Sequence, residues 1–185
     1  MIRKLVNLLR AGKIAVMPTD TIYGIVGSAL NLQTVEEIYK LRKRTKDKPF
    51  IILISNLNDL NHFNITLTGK QKEFLEKVWP NPVSVILPCG DKDFEYLHRG
   101  KNNLAFRMPK DKTLLKLLEK TGPVVAPSAN FEGEQPSETI DQARKYFGSQ
   151  VAFYLDKGRI RSEPSTIIRL NQDSIAILRQ GKYIL

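Results

Sequence analysis

The sequence is poor in the residues that build disulfides and metal centres. Only one of its 185 residues is a cysteine, Cys89, and only two are histidines, His62 and His98. A single cysteine excludes an intrachain disulfide, and neither histidine has the neighbours that a zinc site requires. A lone cysteine is also typical of a reducing compartment. We therefore predict an intracellular protein without metal ligands of its own.

Long apolar runs are also missing. No stretch approaches the roughly 18 apolar residues of a membrane-spanning helix. The first residues lack the apolar core and the small-residue cleavage site of a signal peptide. Because 42% of the residues are hydrophobic, the chain can still build a globular core. These features predict a cytoplasmic protein with no membrane association.

Acidic residues are scarce relative to basic ones. The 19 Asp and Glu residues face 29 Lys and Arg residues, which leaves a formal charge of +10. A surplus of this size favours anionic partners such as nucleotides, pyrophosphate or RNA. It also improves solubility, and charge alone does not separate the two explanations.

Apolar periodicity and capping residues predict alternating helices and strands, and hence an α/β fold. Because the last strands follow one another directly, the sheet should be mixed, in a single domain spanning 1–185. Helices are predicted over 2–10, from a Thr34/Glu37 capping box to about Arg44, from Thr68 through Val78, from Asp111 to Gly122 and from Ser137 to Gly148. Strands are predicted at 13–17, 50–54, 83–87, 104–107, 123–126, 151–155, 165–170 and 174–178.

Two polar segments directly follow predicted strands. The segment 18–27 reads PTDTIYGIVG, and the segment 126–130 reads APSAN. In open α/β sheets, polar groups at strand ends tend to face a ligand crevice. Each segment also fits an ordinary turn stabilised by Thr, Asp or Asn side chains. Composition alone leaves both interpretations open.

A third segment is strongly basic. Six of the nine residues from Lys40 to Lys48 are Lys or Arg. The helix dipole favours cations at a helix C-terminus, but this explains one or two of them better than six. Arg and Lys both bind phosphate oxygens. The sequence has no Walker loop and no dinucleotide fingerprint, so it predicts an anion-binding α/β domain of another kind.

Seven short motifs occur in the order found in a known family. Over residues 7–182 the chain resembles the YrdC/TsaC family of threonylcarbamoyl-AMP synthases in its short, single-domain form. One motif would be weak evidence, but seven in order are specific. The motifs are PTDTIYG at 18–24, Arg44 with Lys48, WPNP at 79–82, RMP at 107–109, SAN at 128–130, PSTI at 164–167 and RQG at 179–181.

The resemblance implies a twisted mixed sheet with flanking helices around a basic concave cavity. It also implies a reaction, in which L-threonine and bicarbonate form a carbamate that attacks the α-phosphorus of ATP and releases pyrophosphate. Mg²⁺ bound to ATP would offset the phosphate charge. The product would pass to a tRNA threonylcarbamoyl-transferase complex, and tRNA itself is a candidate partner.

The resemblance also implies roles for individual residues. Catalysis would rest on positioning and electrostatics by Arg44 and Lys48, with no general base and no protein ligand to a metal. The implied ligand sets are Arg44, Lys48, Ser128, Asn130 and Arg179 for ATP, and Thr21, Arg107 and Ser165 for threonine. Three positions depart from the family pattern: Arg42 replaces a common Lys, Thr45 a common Pro, and Leu53 a His.

Two rival functions fit the same sequence. A non-catalytic domain that binds double-stranded RNA or tRNA would explain the charge, although aromatic residues are not interleaved with the basic run. A carbamoyl-adenylating relative would use carbamoyl phosphate, but such enzymes carry further zinc-finger and transfer domains. Release of pyrophosphate from ATP, tested with each substrate omitted in turn, discriminates among the three.

Overall fold

The computed structural model describes residues 2–171 and 174–185, in which helices surround one mixed sheet. The helices of this part of the chain are α1 (Ile2–Arg10), α2 (Leu32–Leu41), α3 (Gly69–Val78), α4 (Glu95–His98), α5 (Lys112–Thr121) and α6 (Ile140–Phe147). The strands are β1 (Ala15–Pro18), β2 (Tyr23–Ser28), β3 (Ile51–Leu53), β4 (Val83–Pro88), β5 (Asn103–Arg107), β6 (Val124–Val125), β7 (Phe153–Tyr154), β8 (Thr166–Leu170) and β9 (Ile175–Arg179). Short 3-10 helices span Leu57–Phe63, Lys92–Phe94 and Gly148–Gln150.

Several local signals act as the sequence predicts. Helix α1 has the predicted bounds, and Leu5 and Leu9 point into the core. At the start of α3, Thr68 and Gln71 form a reciprocal capping box. Asp111 accepts a hydrogen bond from the backbone N–H of Leu114 and so caps α5.

Two predicted helix starts are wrong, because the expected capping hydroxyls are used elsewhere. The Thr34 hydroxyl donates to the carbonyl of Gly12 at 2.8 Å. Asn31 therefore caps α2, which ends at Leu41 rather than near Arg44. The Ser137 hydroxyl donates to the carbonyl of Ala129, and Thr139 with Gln142 forms the capping box of α6 instead.

The segment 18–27 contains an unpredicted strand, since it was interpreted either as polar groups facing a ligand crevice or as a turn. Residues Tyr23–Ser28 form β2, which pairs with β1 in an antiparallel hairpin. Gly27 in this strand lets α2 approach closely, because a Cβ there would lie 2.3 Å from Cγ2 of Thr34. Other predicted strands are present with ends displaced by a few residues, as is common at element boundaries.

The described strands form one mixed sheet in the order β7-β1-β2-β6-β3-β5-β4-β8-β9. The pairs β1/β7, β3/β5 and β4/β8 are parallel, and the other neighbours are antiparallel. The mixed sheet with flanking helices agrees with the predicted fold class. Within the described ranges, no helix combines the length and apolar character needed to cross a bilayer.

The two faces of the sheet are covered unequally. On one face, Ile52 and Phe106 belong to a large core with residues of α2, α3 and α6. On the other face, Leu53 packs in a smaller core with residues of α1 and α5. Beyond these two helices, the same face carries Ile86 and Ala105 and lies open. Because side chains alternate along a strand, this uncovered part of the sheet becomes the floor of a cleft.

Candidate functional site

The cleft has a volume of about 470 Å³, within the usual size of a small-molecule site. Apolar side chains of the sheet form its floor, and loops at strand ends form its walls. The described lining includes six cationic side chains and no carboxylate. The cations are Arg42, Arg44, Lys101, Arg107, Arg169 and Arg179. The lining therefore favours an anionic ligand.

Most of the predicted site residues converge on this cleft. Those that line it are Thr21, Arg44, Arg107, Ser128, Ser165 and Arg179. Lys48 and Asn130 are absent from the described lining. The convergence had no basis in sequence proximity, because these residues lie on six separate segments.

One side of the cleft, here called the basic wall, consists of residues 42–48 and 128–132. Its centre is the buried Arg42, whose Nε donates to the carbonyl of Asn130 at 3.1 Å. The Nη2 atom of Arg42 donates to the Ser128 hydroxyl at 3.1 Å and to Oδ1 of Asn130 at 3.3 Å. Burial lowers the pKa of Arg42 to about 10, so it stays protonated at neutral pH. Arg42 thus joins the two segments of the wall.

Asn130 supports this wall from within. Its amide nitrogen donates to the carbonyls of Phe131 at 2.7 Å and Glu134 at 2.8 Å. Its oxygen accepts from Arg42, and only 5% of the residue is exposed. These contacts are all internal to the protein, and the predicted contact of Asn130 with ATP stays a prediction.

Arg44 and Lys48 occupy different positions on the basic wall. Nε of Arg44 donates to the carbonyl of Lys48 at 3.0 Å, and burial lowers the pKa of this guanidinium. The Lys48 ammonium instead forms an ion pair with Glu132, with an N–O distance of 2.7 Å. Glu132 also accepts from the backbone N–H of Thr45 at 2.7 Å. Arg44 thus faces the cleft, while Lys48 holds the wall together behind it.

The opposite side, here called the Arg107 wall, consists of residues 19–21, 107, 165 and 179. The Thr19 hydroxyl donates to the carbonyl of Ile22 at 2.7 Å and lies 3.1 Å from the Thr21 hydroxyl. Because a hydroxyl has one proton, Thr21 is the donor in that second contact. The lone pairs of the Thr21 oxygen are therefore available to a donor group of a ligand.

Arg107 forms a buried ion pair with Asp20. Nη2 of Arg107 lies 3.0 Å from Oδ1 of Asp20, and each side chain is only 5% exposed. Nε of Arg107 and both carboxylate oxygens of Asp20 have no well-aligned hydrogen-bond partner among the described residues. Burial lowers the pKa of Arg107, while the Asp20 carboxylate raises it and Arg179 lowers it. The three charges therefore influence one another.

Ser165 and Arg179 complete the Arg107 wall. The Ser165 hydroxyl lies 2.8 Å from the Ser84 hydroxyl, and Nη2 of Arg179 donates to the Ser165 carbonyl at 2.7 Å. Gly181 lets the C-terminal segment pass close by, because a Cβ there would lie 2.3 Å from the carbonyl oxygen of Pro164. The RQG motif thus places Arg179 at the cleft.

Sequence reasoning missed three residues that organise the site. Arg42 and Asp20 were visible only as members of motifs, and Glu132 carried no signal. Their roles depend on contacts between residues far apart in the chain: Arg42 with Asn130 across 88 positions, and Asp20 with Arg107 and Glu132 with Thr45 across 87 positions each. Lys101 and Arg169 also line the cleft, although neither was predicted as a site residue.

The donor set of the cleft does not resemble a protein metal site. Within the described residues, no three His, Cys, Asp or Glu side chains are grouped closely enough to hold a metal ion. Mg²⁺ prefers oxygen ligands and often takes them from substrate phosphates. The residues present fit a metal that arrives with a phosphate ligand rather than one held by a protein cage.

Comparison with known proteins identifies similar chains. A model of the Sua5/YciO/YrdC family, described as telomere recombination, matches residues 7–181. A putative threonylcarbamoyl-AMP synthase of Mycobacterium tuberculosis is 29% identical over 177 residues, covering 95% of this chain and 82% of the relative. The threonylcarbamoyl-AMP synthase of Photobacterium profundum is 28% identical over 184 residues, covering 97% and 98%.

A solved structure extends the likeness to three dimensions. Sua5 of Pyrococcus abyssi, complexed with L-threonine, superposes with a TM-score of 0.88 at 29% sequence identity. The match covers 97% of this chain and 54% of the Pyrococcus protein, so this chain spans about half the length of that relative.

Proposed function

We infer, from the premise that this chain belongs to the Sua5/YciO/YrdC family, that it is a threonylcarbamoyl-AMP synthase. The reaction joins L-threonine, bicarbonate and ATP and releases pyrophosphate. One observation supports it above the others: arginines of two opposite walls meet in one cleft without an acidic lining residue in the described part. Such a cleft suits a nucleoside triphosphate beside a second anionic ligand.

The relatives support the same reaction. Two that match nearly all of this chain are named as threonylcarbamoyl-AMP synthases, one of them as putative. The Pyrococcus structure was determined with L-threonine. The match to the Photobacterium relative covers 98% of the length of that relative.

On the basic wall, Arg44 is proposed to contact the phosphates of ATP, with Ser128 and the charge of Arg42 beside it. Lys48 would join them by exchanging its ion pair with Glu132 for a phosphate oxygen. These cations stabilise the charge that develops as pyrophosphate departs. Mg²⁺ bound to ATP would be held mainly by phosphate oxygens, since the described lining lacks carboxylates.

On the Arg107 wall, the guanidinium of Arg107 is proposed to bind the carboxylate of threonine. Thr21 and Ser165 would supply hydroxyl groups to threonine, and Arg179, which was predicted as an ATP ligand, would reach the nucleotide from this side. The carbamate formed from threonine and bicarbonate is itself an anionic nucleophile, so its attack on the α-phosphorus requires positioning more than proton removal. The residues of the two walls provide that positioning.

The later fate of the product is also a proposal. Threonylcarbamoyl-AMP would pass to a tRNA threonylcarbamoyl-transferase complex, as the resemblance implies. A cytoplasmic location is consistent with this role and stays a prediction from the sequence.

The test is release of pyrophosphate with one substrate omitted at a time. We expect release only when ATP, L-threonine and bicarbonate are all present. Arg44→Ala should reduce the rate at least about 100-fold, because a fixed phosphate contact is lost. Lys48→Ala should also reduce it sharply. The exposed Lys116 of α5 provides a matched control, and Lys116→Ala should leave the rate unchanged.

The same assay distinguishes the two rivals. Salt-sensitive binding of RNA without any pyrophosphate release would support the non-catalytic RNA-binding domain. Activity with carbamoyl phosphate in place of threonine and bicarbonate would support the carbamoyl-adenylating relative. Wild-type rates in both Arg44→Ala and Lys48→Ala would contradict the assignment of the phosphate site.

A further inference from the structure

The buried pair of Asp20 and Arg107 has more hydrogen-bonding capacity than the protein uses. Arg107 lines the cleft, and Asp20 lies behind it with both oxygens buried and without an aligned donor among the described residues. Buried polar groups in native proteins are normally satisfied, so unused groups at a cleft call for an explanation. A role only in supporting the fold does not explain the pair well, because a buried ion pair contributes little net stability.

The charges around this pair form a small, countable set. Arg107 and Arg179 bring two positive charges to the wall, and the Asp20 carboxylate brings one negative charge. The exposed Lys182 ammonium lies 3.4 Å from the backbone carbonyl of Asp20, where solvent screens it. The buried pair is therefore neutral, and Arg179, which lines the cleft from the more exposed strand β9, leaves the wall with a single net positive charge.

That balance matters for a ligand that carries both signs of charge. A free amino acid has a carboxylate that suits the two guanidinium groups and an ammonium group that they repel. Without a buried carboxylate, the wall would favour any small monoanion over a zwitterion. A carboxylate fixed behind one guanidinium lowers the repulsion of the ammonium group while leaving a cation for the carboxylate.

We propose that Asp20 is a positioning and specificity-determining residue for the amino-acid substrate. It acts through Arg107, which it holds at the cleft, and it adjusts the charge of the wall to a zwitterion. The inference rests on the proposed function, since it deepens the assignment of the Arg107 wall to threonine. Asp20 itself is buried, so no contact between Asp20 and the substrate is required.

The test compares two ligands that differ only in the ammonium group. One is L-threonine, and the other is its analogue with a hydroxyl in place of the ammonium. Binding is measured by calorimetry, with and without ATP, on wild-type protein and on Asp20→Asn. Because Asn keeps the size of the side chain and removes its charge, binding of threonine should weaken relative to the analogue by about tenfold or more.

Two further variants keep the test decisive. Asp141→Asn makes the same charge change at an exposed position on α6 and should leave the ratio of the two affinities unchanged. Asp20→Glu retains the charge and should keep the ratio within about threefold of wild type. It provides an independent measurement if Asp20→Asn does not fold.

The outcomes separate this inference from the proposed function. If wild-type protein does not bind threonine under either condition, the proposed function is overturned, and the inference with it. If wild-type protein binds threonine and Asp20→Asn leaves both affinities unchanged or weakens both equally, only the inference is overturned. Loss of discrimination in Asp20→Glu would also overturn it, because the charge is then not what matters.

Discussion

The two walls of the cleft place arginines by different means. On the basic wall, Arg42 is buried, and its contacts are hydrogen bonds to Ser128 and Asn130. The Glu132 carboxylate of this wall is bound to Lys48 and Thr45 instead. On the Arg107 wall, a guanidinium is paired directly with a buried carboxylate. The cleft-lining Arg42 and Arg44 of the basic wall are fixed by neutral groups, whereas the Arg107 wall presents a cation whose charge is partly balanced. This difference fits the proposed ligands, which are a polyphosphate at the basic wall and an amino acid at the Arg107 wall.

The largest effect should come from breaking the buried pair. Arg107→Gln leaves the Asp20 carboxylate buried without a counterion, which costs about 3 to 5 kcal/mol of unfolding free energy. Chemical denaturation of wild type and variant measures this cost. We also expect the variant to lose binding of threonine.

A double variant sharpens that result. Because Arg107→Gln with Asp20→Asn removes both charges, it should recover most of the lost stability and still fail to bind threonine. A single variant as stable as wild type would show that the pair is solvated in solution and that the contrast between the walls is wrong.

A smaller effect is expected on the basic wall, where Arg42 has neutral partners. Arg42→Ala leaves the Asn130 carbonyl and the Ser128 hydroxyl without their donor, at a cost of about 1 to 3 kcal/mol. We expect KM for ATP to rise while KM for threonine changes little. Steady-state pyrophosphate release measures both constants.

Lysine, which is common in the family at position 42, supplies the control. Arg42→Lys keeps the charge but not the planar fork, so its compact ammonium does not reproduce the separate contacts of Nε and Nη2 with Asn130 and Ser128. Its effect on KM for ATP should lie between wild type and Arg42→Ala. Equal changes in KM for both substrates in Arg42→Ala would contradict a role confined to one wall.

The sequence predicts the elements of this fold better than the site's internal support. Residues such as Thr68 and Asp111 cap helices through partners three positions away, so local pattern suffices to find them. Thr34 and Ser137 fail as caps because distant carbonyls take their protons. Strand β2 was not predicted, because its glycines are typical of a turn. In the structure, Gly27 instead allows α2 to pack closely against the strand.

The same distinction applies to the cleft. The motifs identified the cleft-facing residues Thr21, Arg44 and Arg179, because a resemblance transfers positions in the chain. They did not show that Asn130 is engaged by internal contacts, nor that Glu132 takes up Lys48. Such pairings depend on distances across the fold, which no local pattern contains.

The smallest effect should come from Glu132, which joins the two segments of the basic wall near the surface. Hydrogen bonds donated by the Lys48 ammonium and by the backbone N–H of Thr45 lower the pKa of the Glu132 carboxyl from 4.5 to about 2. A depressed pKa means that the contact adds stability above about pH 4.5 and loses it as the pH falls through about 2. Thermal melts of wild type and Glu132→Gln between pH 7 and pH 2 should therefore show a modest gap in Tm that stays constant down to about pH 4.5 and closes below it. A gap that persists unchanged at the lowest pH would show that the contact of Glu132 with Lys48 and Thr45 does not depend on its charge, and the basic wall would then be held by neutral contacts alone.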